Sequence, residues 1–171
     1  MKTWARWGGA RNNPQAEEHA AALLARWRAR GWPVAHVRHA SSEAGSPLSA
    51  DAPGFAFMDF AAPAAGEPVY VKQVNSAFIG TRLEEDLRAD GVRRLVVCGL
   101  TTDHCVSTSV RMAANPGFEV TLVADACATF ARQTPDGALI AAEEVQRVHL
   151  ASLHVEFARV RQAAEVLALQ A

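Results

Sequence analysis

Cysteine is scarce in this sequence, neither sign of charge prevails, and no long apolar run occurs. The three cysteines, Cys98, Cys105 and Cys127, are an odd number at irregular spacing. They exclude a disulfide framework and form no CxxC pair for a metal. A reduced, cytoplasmic setting is the expectation that follows. The net charge of −1 offers no basic excess for nucleic acid or another polyanion. No segment is apolar over the length a membrane span needs, and residues 1–10 lack the core of a signal peptide. There is no internal repeat.

What is present is apolar bulk. Half of the 171 residues are hydrophobic (50%), enough for one domain with a buried core. Asn13-Pro14 opens a helix, with asparagine as cap and proline at the first helical position. Ala22, Leu23 and Trp27 give that helix an apolar stripe, and Gly31 stops it. Residues 33–38 read as a strand, 41–66 as a long loop rich in Pro, Gly, Ala and Ser, and 69–72 as a short strand. Thr81-Arg82-Leu83-Glu84 has the form of a capping box, starting a helix that ends at Gly91. A strand from Leu95 follows, then a helix that carries Cys105 and ends near Asn115-Pro116-Gly117. A buried-type strand over 118–124, a helix over 143–154, a strand over 157–160 and a helix over 163–169 complete the order. Strands alternating with helices predict a parallel sheet covered on both faces.

The run Leu95-Val96-Val97-Cys98-Gly99-Leu100-Thr101-Thr102-Asp103-His104-Cys105-Val106 is the most informative. An apolar, β-branched strand ends in glycine, crosses a short polar turn and delivers Cys105 to the start of a helix. Ligands of open α/β sheets bind in the crevice at such strand ends. Helix N-terminal amides stabilise a thiolate, the reactive form of cysteine. A buried structural cysteine is the plainer reading of the same residue. Cys98, inside the strand, is expected to be the most protected of the three. Lys72 also ends a strand, ahead of Gln73-Val74-Asn75-Ser76-Ala77-Phe78. Parallel strands place their C-terminal ends on one rim, so Lys72 and Cys105 can meet there, and a cationic neighbour favours the thiolate. Without Cys105, Lys72 would read as a solvated surface lysine.

Val71-Lys72-Gln73-Val74-Asn75-Ser76-Ala77-Phe78 and Gly99-Leu100-Thr101-Thr102-Asp103-His104-Cys105-Val106 resemble the two signature stretches of the isochorismatase-like cysteine hydrolases. The resemblance extends to Arg11-Asn12-Asn13-Pro14-Gln15-Ala16-Glu17, Asp125-Ala126-Cys127-Ala128-Thr129 and Ala151-Ser152-Leu153-His154, and so covers nearly the whole chain. It implies a Rossmann-like parallel sheet of six strands with helices on both faces. It also implies an Asp-Lys-Cys triad, with Lys72 and Cys105 as the matching lysine and cysteine. By position, the family's non-proline cis peptide falls between Leu100 and Thr101, and the backbone N–H groups of Thr101 and Cys105 form the oxyanion hole. Asn75, Phe78 and His104 are candidate substrate contacts. Phe55, Phe57, Phe60 and Phe78 are candidates for an apolar pocket wall, and equally for ordinary core.

The chain departs from the family at its beginning. The triad aspartate ends the first, central strand of the fold, and nothing upstream of Trp7 reads as that strand. The expectation is a single isochorismatase-like domain over residues 1–171, shortened at its N-terminus and lacking both strand and aspartate. Asp103 and Asp125 are the nearby acids; the first is expected to order the turn and the second to cap or end a strand. Nicotinamidases on this fold hold a metal through Asp-x-His and a later histidine. Here the equivalent stretch is His36-Val37-Arg38-His39, without the aspartate, and an HxxH on a strand points its rings to opposite faces. No metal and no cofactor are expected. The resemblance implies a small-molecule substrate, a homodimer or homotetramer, and no nucleic-acid or membrane partner. Two functions follow: a cysteine hydrolase that cleaves an amide-type C–N bond through a thioester, or a scaffold or binding protein impaired by loss of the aspartate. Isochorismate itself fits less well, because vinyl-ether hydrolysis needs no thiol nucleophile.

Overall fold

The computed structural model describes residues 10–168. Their order is α1 (Ala16–Ala29), β1 (His36–His39), β2 (Val69–Lys72), α2 (Leu83–Ala89), β3 (Arg94–Leu100), α3 (Ser107–Ala114), β4 (Glu119–Ala128), β5 (Arg132–Gln133), β6 (Leu139–Ile140), α4 (Ala142–Leu153), β7 (Arg159–Arg161) and α5 (Ala163–Ala168). Single 3-10 turns at Pro53–Phe55 and Asp59–Ala61 break the long loop, and a π turn at Thr102–Val106 joins β3 to α3.

β4 explains why helices cover both faces. Its side chains alternate, so Val120 and Leu122 join Val110 and Ala113 of α3 and Leu153 of α4 in one apolar cluster. Val123 joins Leu23 of α1 and Ala163 and Val166 of α5 in the other. Leu122 and Val123 are both fully buried, and each such side chain contributes roughly 1.5–3 kcal/mol relative to leaving it exposed.

The parallel sheet is in two pieces, β1–β2 and β3–β4–β7, with β5–β6 a separate antiparallel hairpin. Among the described residues no strand joins β1 to β3, so each keeps an unpaired edge. Val37, Val69, Val71 and Val96 are 36–42% exposed, large values for β-branched residues in parallel strands. Cys98 also has surface open to solvent, yet desolvation by the protein around it pushes its thiol up to about 11, in line with the low reactivity expected of it. Cys127, on β4, is the buried one.

Two local expectations also change. Asn13 does not cap α1, whose N-cap is Gln15. Its Nδ2 donates instead to the carbonyls of Ala124 (3.1 Å) and Cys127 (2.7 Å). That exchange ties the start of the chain to β4, with Asn13 at φ +42°, a region asparagine tolerates. Thr81 accepts from the N–H of Leu83 (3.3 Å), one residue short of a capping box, and Glu84 pairs with Arg88 instead. Gly91 ends α2 as expected, at φ +68°.

Candidate active site

The C-terminal ends of β1, β2 and β3 converge on one ammonium group. Lys72 closes β2 and is 4% exposed. Its Nζ lies 3.1 Å from Cys105 Sγ, donates to the Val74 carbonyl at 3.0 Å and approaches His39 Nδ1 at 3.3 Å. A buried ammonium needs partners for its three protons, and these three groups supply them. Sequence reasoning placed Lys72 and Cys105 on one rim; it weighed His39 only as a metal ligand.

Cys105 sits in the π turn that follows β3. The Thr101 carbonyl accepts the N–H groups of His104 (3.2 Å) and Val106 (3.1 Å), which winds the turn around it. Gly99, at φ +134°, falls where the β3–β4 register jumps, so the strand bends into the turn. The peptide bond between Leu100 and Thr101 is cis, where the resemblance implies one. Asp103 anchors the turn to the far end of β4: Thr129 Oγ1 and Arg132 Nε each donate to it at 2.6 Å. Burial acts to raise the Asp103 carboxyl, but the hydrogen bonds from Arg132, Thr129 and Thr101 outweigh it and hold it at about 2.

Of the candidate contacts, Asn75 lies nearest the sulfur, with Oδ1 4.0 Å from Cys105 Sγ. Its loop is held by Ser109, whose Oγ accepts the Ala77 N–H at 3.0 Å and donates to the Asn75 carbonyl at 3.5 Å. Ser109 was missed in the sequence, although it follows Cys105 by one helical turn. The His104 ring is 42% exposed, with Nε2 3.6 Å from Asp103 Oδ2. Phe78 points away into the core, its ring 6.2 Å from that of Phe118. Phe55 and Phe57 stack on Arg38, with guanidinium-to-centroid distances of 3.9 and 5.1 Å. The long loop therefore packs its aromatics on the β1 face opposite His39.

Asp125, His36 and Glu67 are engaged elsewhere. Asp125 Oδ1 accepts the Ala163 N–H at 2.7 Å at the start of α5, and Oδ2 lies 3.2 Å from His19 Nδ1. Neither Asp103 nor Asp125 pairs with Lys72, and among the described residues no carboxylate does. His36 Nε2 meets Glu67 Oε2 at 2.6 Å. Glu67 also accepts from Arg28 and from the Ala64 N–H, and the Arg28 guanidinium foremost holds its carboxyl well below the usual carboxylate range. His36 and His39 thus serve opposite faces of β1 and share no site. Among the described residues no three His, Cys, Asp or Glu side chains gather as a metal would require. No helix among them is long and apolar enough to cross a membrane.

Comparison with known proteins places the chain. A family model, the Isochorismatase domain, matches residues 7–152. The uncharacterized isochorismatase family protein YrdC of Bacillus subtilis is 40% identical over 152 residues, 89% of this chain and 81% of that protein. A crystal structure of an isochorismatase-family protein from Chromobacterium violaceum superposes with a TM-score of 0.91 at 48% identity, over 94% of this chain and 83% of that one. Over a shorter stretch, 79 residues or 46% of this chain, it is 39% identical to maleamate amidohydrolase of Pseudomonas putida, covering 34% of that enzyme. The superfamily therefore includes amidohydrolases. With a family model spanning most of its length and relatives matched over 89% and 94% of it, the chain belongs to the isochorismatase family.

Proposed function

We propose that this protein is a cysteine hydrolase that cleaves an amide-type C–N bond of a small molecule through a thioester. The observation that carries the reading is the 3.1 Å approach of the buried Lys72 Nζ to the half-buried Cys105 Sγ. An ammonium that close stabilises a thiolate. The thiolate attacks the substrate carbonyl, and the N–H groups of Thr101 and Cys105 hold the oxyanion. Collapse expels the amine, which takes a proton from Lys72. Water then adds to the thioester and gives its proton to the neutral Lys72. Expulsion of the thiolate releases the acid and restores the starting pair. The maleamate amidohydrolase relative supports the choice of an amide bond. Large exposed apolar side chains at Leu139, Val148 and Val155 support assembly into a homodimer or homotetramer, which sedimentation measures.

One observation favours the second reading, a scaffold or binding protein: among the described residues no carboxylate reaches Lys72 or Cys105. Incubation with a panel of activated small amides, followed by intact-protein mass spectrometry, separates the two. An acyl adduct on Cys105 with product release supports the hydrolase. Reversible binding of the same compounds with no adduct and no release supports the scaffold.

A further inference from the structure

We infer that His39 is a positioning residue for Lys72, holding its ammonium toward the Cys105 sulfur by accepting one of its protons at Nδ1. The inference rests on the hydrolase reading and adds a residue to it. Lys72 Nζ has three protons and, among the described residues, three partners: the Val74 carbonyl at 3.0 Å, Cys105 Sγ at 3.1 Å and His39 Nδ1 at 3.3 Å. An ammonium only donates, so Nδ1 accepts and the ring carries its proton on Nε2. Burial, and then the Lys72 charge, hold the His39 imidazole below its ordinary value of 6.5 against the opposing pull of the Val74 backbone, so the ring is neutral and able to accept near pH 7. Lys72 and His39 sit side by side in the β1–β2 register, so the contact is built into the strand pairing. His36, three residues earlier, turns to the opposite face and to Glu67, so of the two β1 histidines it is His39 that lies on the site side. A lysine side chain has four rotatable bonds. Without the third partner, the ammonium spends part of its time off the line to the sulfur.

The test replaces His39 with Asn, which keeps an acceptor near the Nδ1 position, and with Leu, which keeps the volume and removes the acceptor. The readouts are iodoacetamide modification of Cys105 at pH 7, followed by peptide mass spectrometry, and kcat and KM for small acyl p-nitroanilides. The expected result is that His39→Leu slows alkylation and kcat by about 10–100-fold with little change in KM, while His39→Asn recovers most of both. A purely structural histidine gives the reverse order, because Leu fills the space better than Asn. That order, or wild-type rates in His39→Leu, overturns the inference. If His39→Leu lowers the thermal midpoint, His39→Ala with and without added imidazole decides in its place: faster alkylation with imidazole supports the role, and no effect overturns it. If the wild-type protein turns over no p-nitroanilide, the hydrolase reading fails, and the alkylation order still decides on His39.

Discussion

Arg132 Nε donates to Asp103 Oδ2 at 2.6 Å, joining the turn that carries Cys105 to the segment leaving β4. The Asp103 carboxylate is 4% exposed and held at about 2, against an ordinary 3.8. Its folded value is depressed, so its stabilisation is present in full above about pH 4 and is lost as pH falls toward 2. The difference corresponds to on the order of 2 kcal/mol. Asp103→Asn is expected to lower the thermal midpoint at pH 7 by roughly 5 °C and to flatten the acid limb of the stability curve between pH 4 and 2. Thermal melts across pH 2–7 check this; an unchanged acid limb would show that the turn is anchored by other groups.

Lys72→Met is expected to slow iodoacetamide modification of Cys105 at neutral pH and to reduce hydrolytic turnover by about 10²–10⁴. Methionine fills the lysine volume and removes a buried charge, so the melting temperature should stay the same or rise. Loss of activity with full stability separates a chemical role from a structural one. Retained alkylation rates would mean that the 3.1 Å contact leaves the sulfur's reactivity untouched.

The three cysteines should react in a fixed order, Cys105 first, Cys98 next and Cys127 last. Cys105 has the ammonium, Cys98 on β3 is reached by solvent but has no cationic partner and a thiol pushed up to about 11 by desolvation, and Cys127 is fully buried, with burial pushing its thiol up further. Timed labelling with peptide mapping measures the order. Cys98 reacting faster than Cys105 would remove the activated-nucleophile claim.

Metal should be dispensable. His36 and His39 are committed to Glu67 and Lys72 on opposite faces of β1, and the acids that could join them are paired elsewhere. Protein purified without a histidine tag should carry less than stoichiometric zinc, iron or manganese by elemental analysis, and chelator treatment should leave turnover unchanged. A metal that survives dialysis at one equivalent, with activity lost on its removal, would refute this.

Much of the fold was legible because the pattern is local. β2 falls on the residues the sequence predicted, and α4 within one residue of its predicted ends, since an apolar run or a helical stripe is written in adjacent positions. The β5–β6 hairpin was not legible: two-residue strands carry no periodicity to read. Asn13 was read as a helix cap because the dipeptide Asn-Pro fits one, yet its amide found better acceptors on β4, more than a hundred positions away.

The site divides in the same way. By itself the sequence determined that Lys72 ends one parallel strand and Cys105 lies in the turn after another, and strand ends of a parallel sheet share a rim, so their meeting follows from connectivity. It determined that Asp103 belongs to the turn. Only the tertiary structure decided which groups complete these contacts. His39 faces Lys72 because β1 and β2 pair in one register and not the next; a shift of one residue would turn His39 to the other face. Thr129 and Arg132 reach Asp103 because the end of β4 lies beside the turn after β3. How far Cys98 is covered depends on its neighbours in space, which its own apolar sequence does not encode.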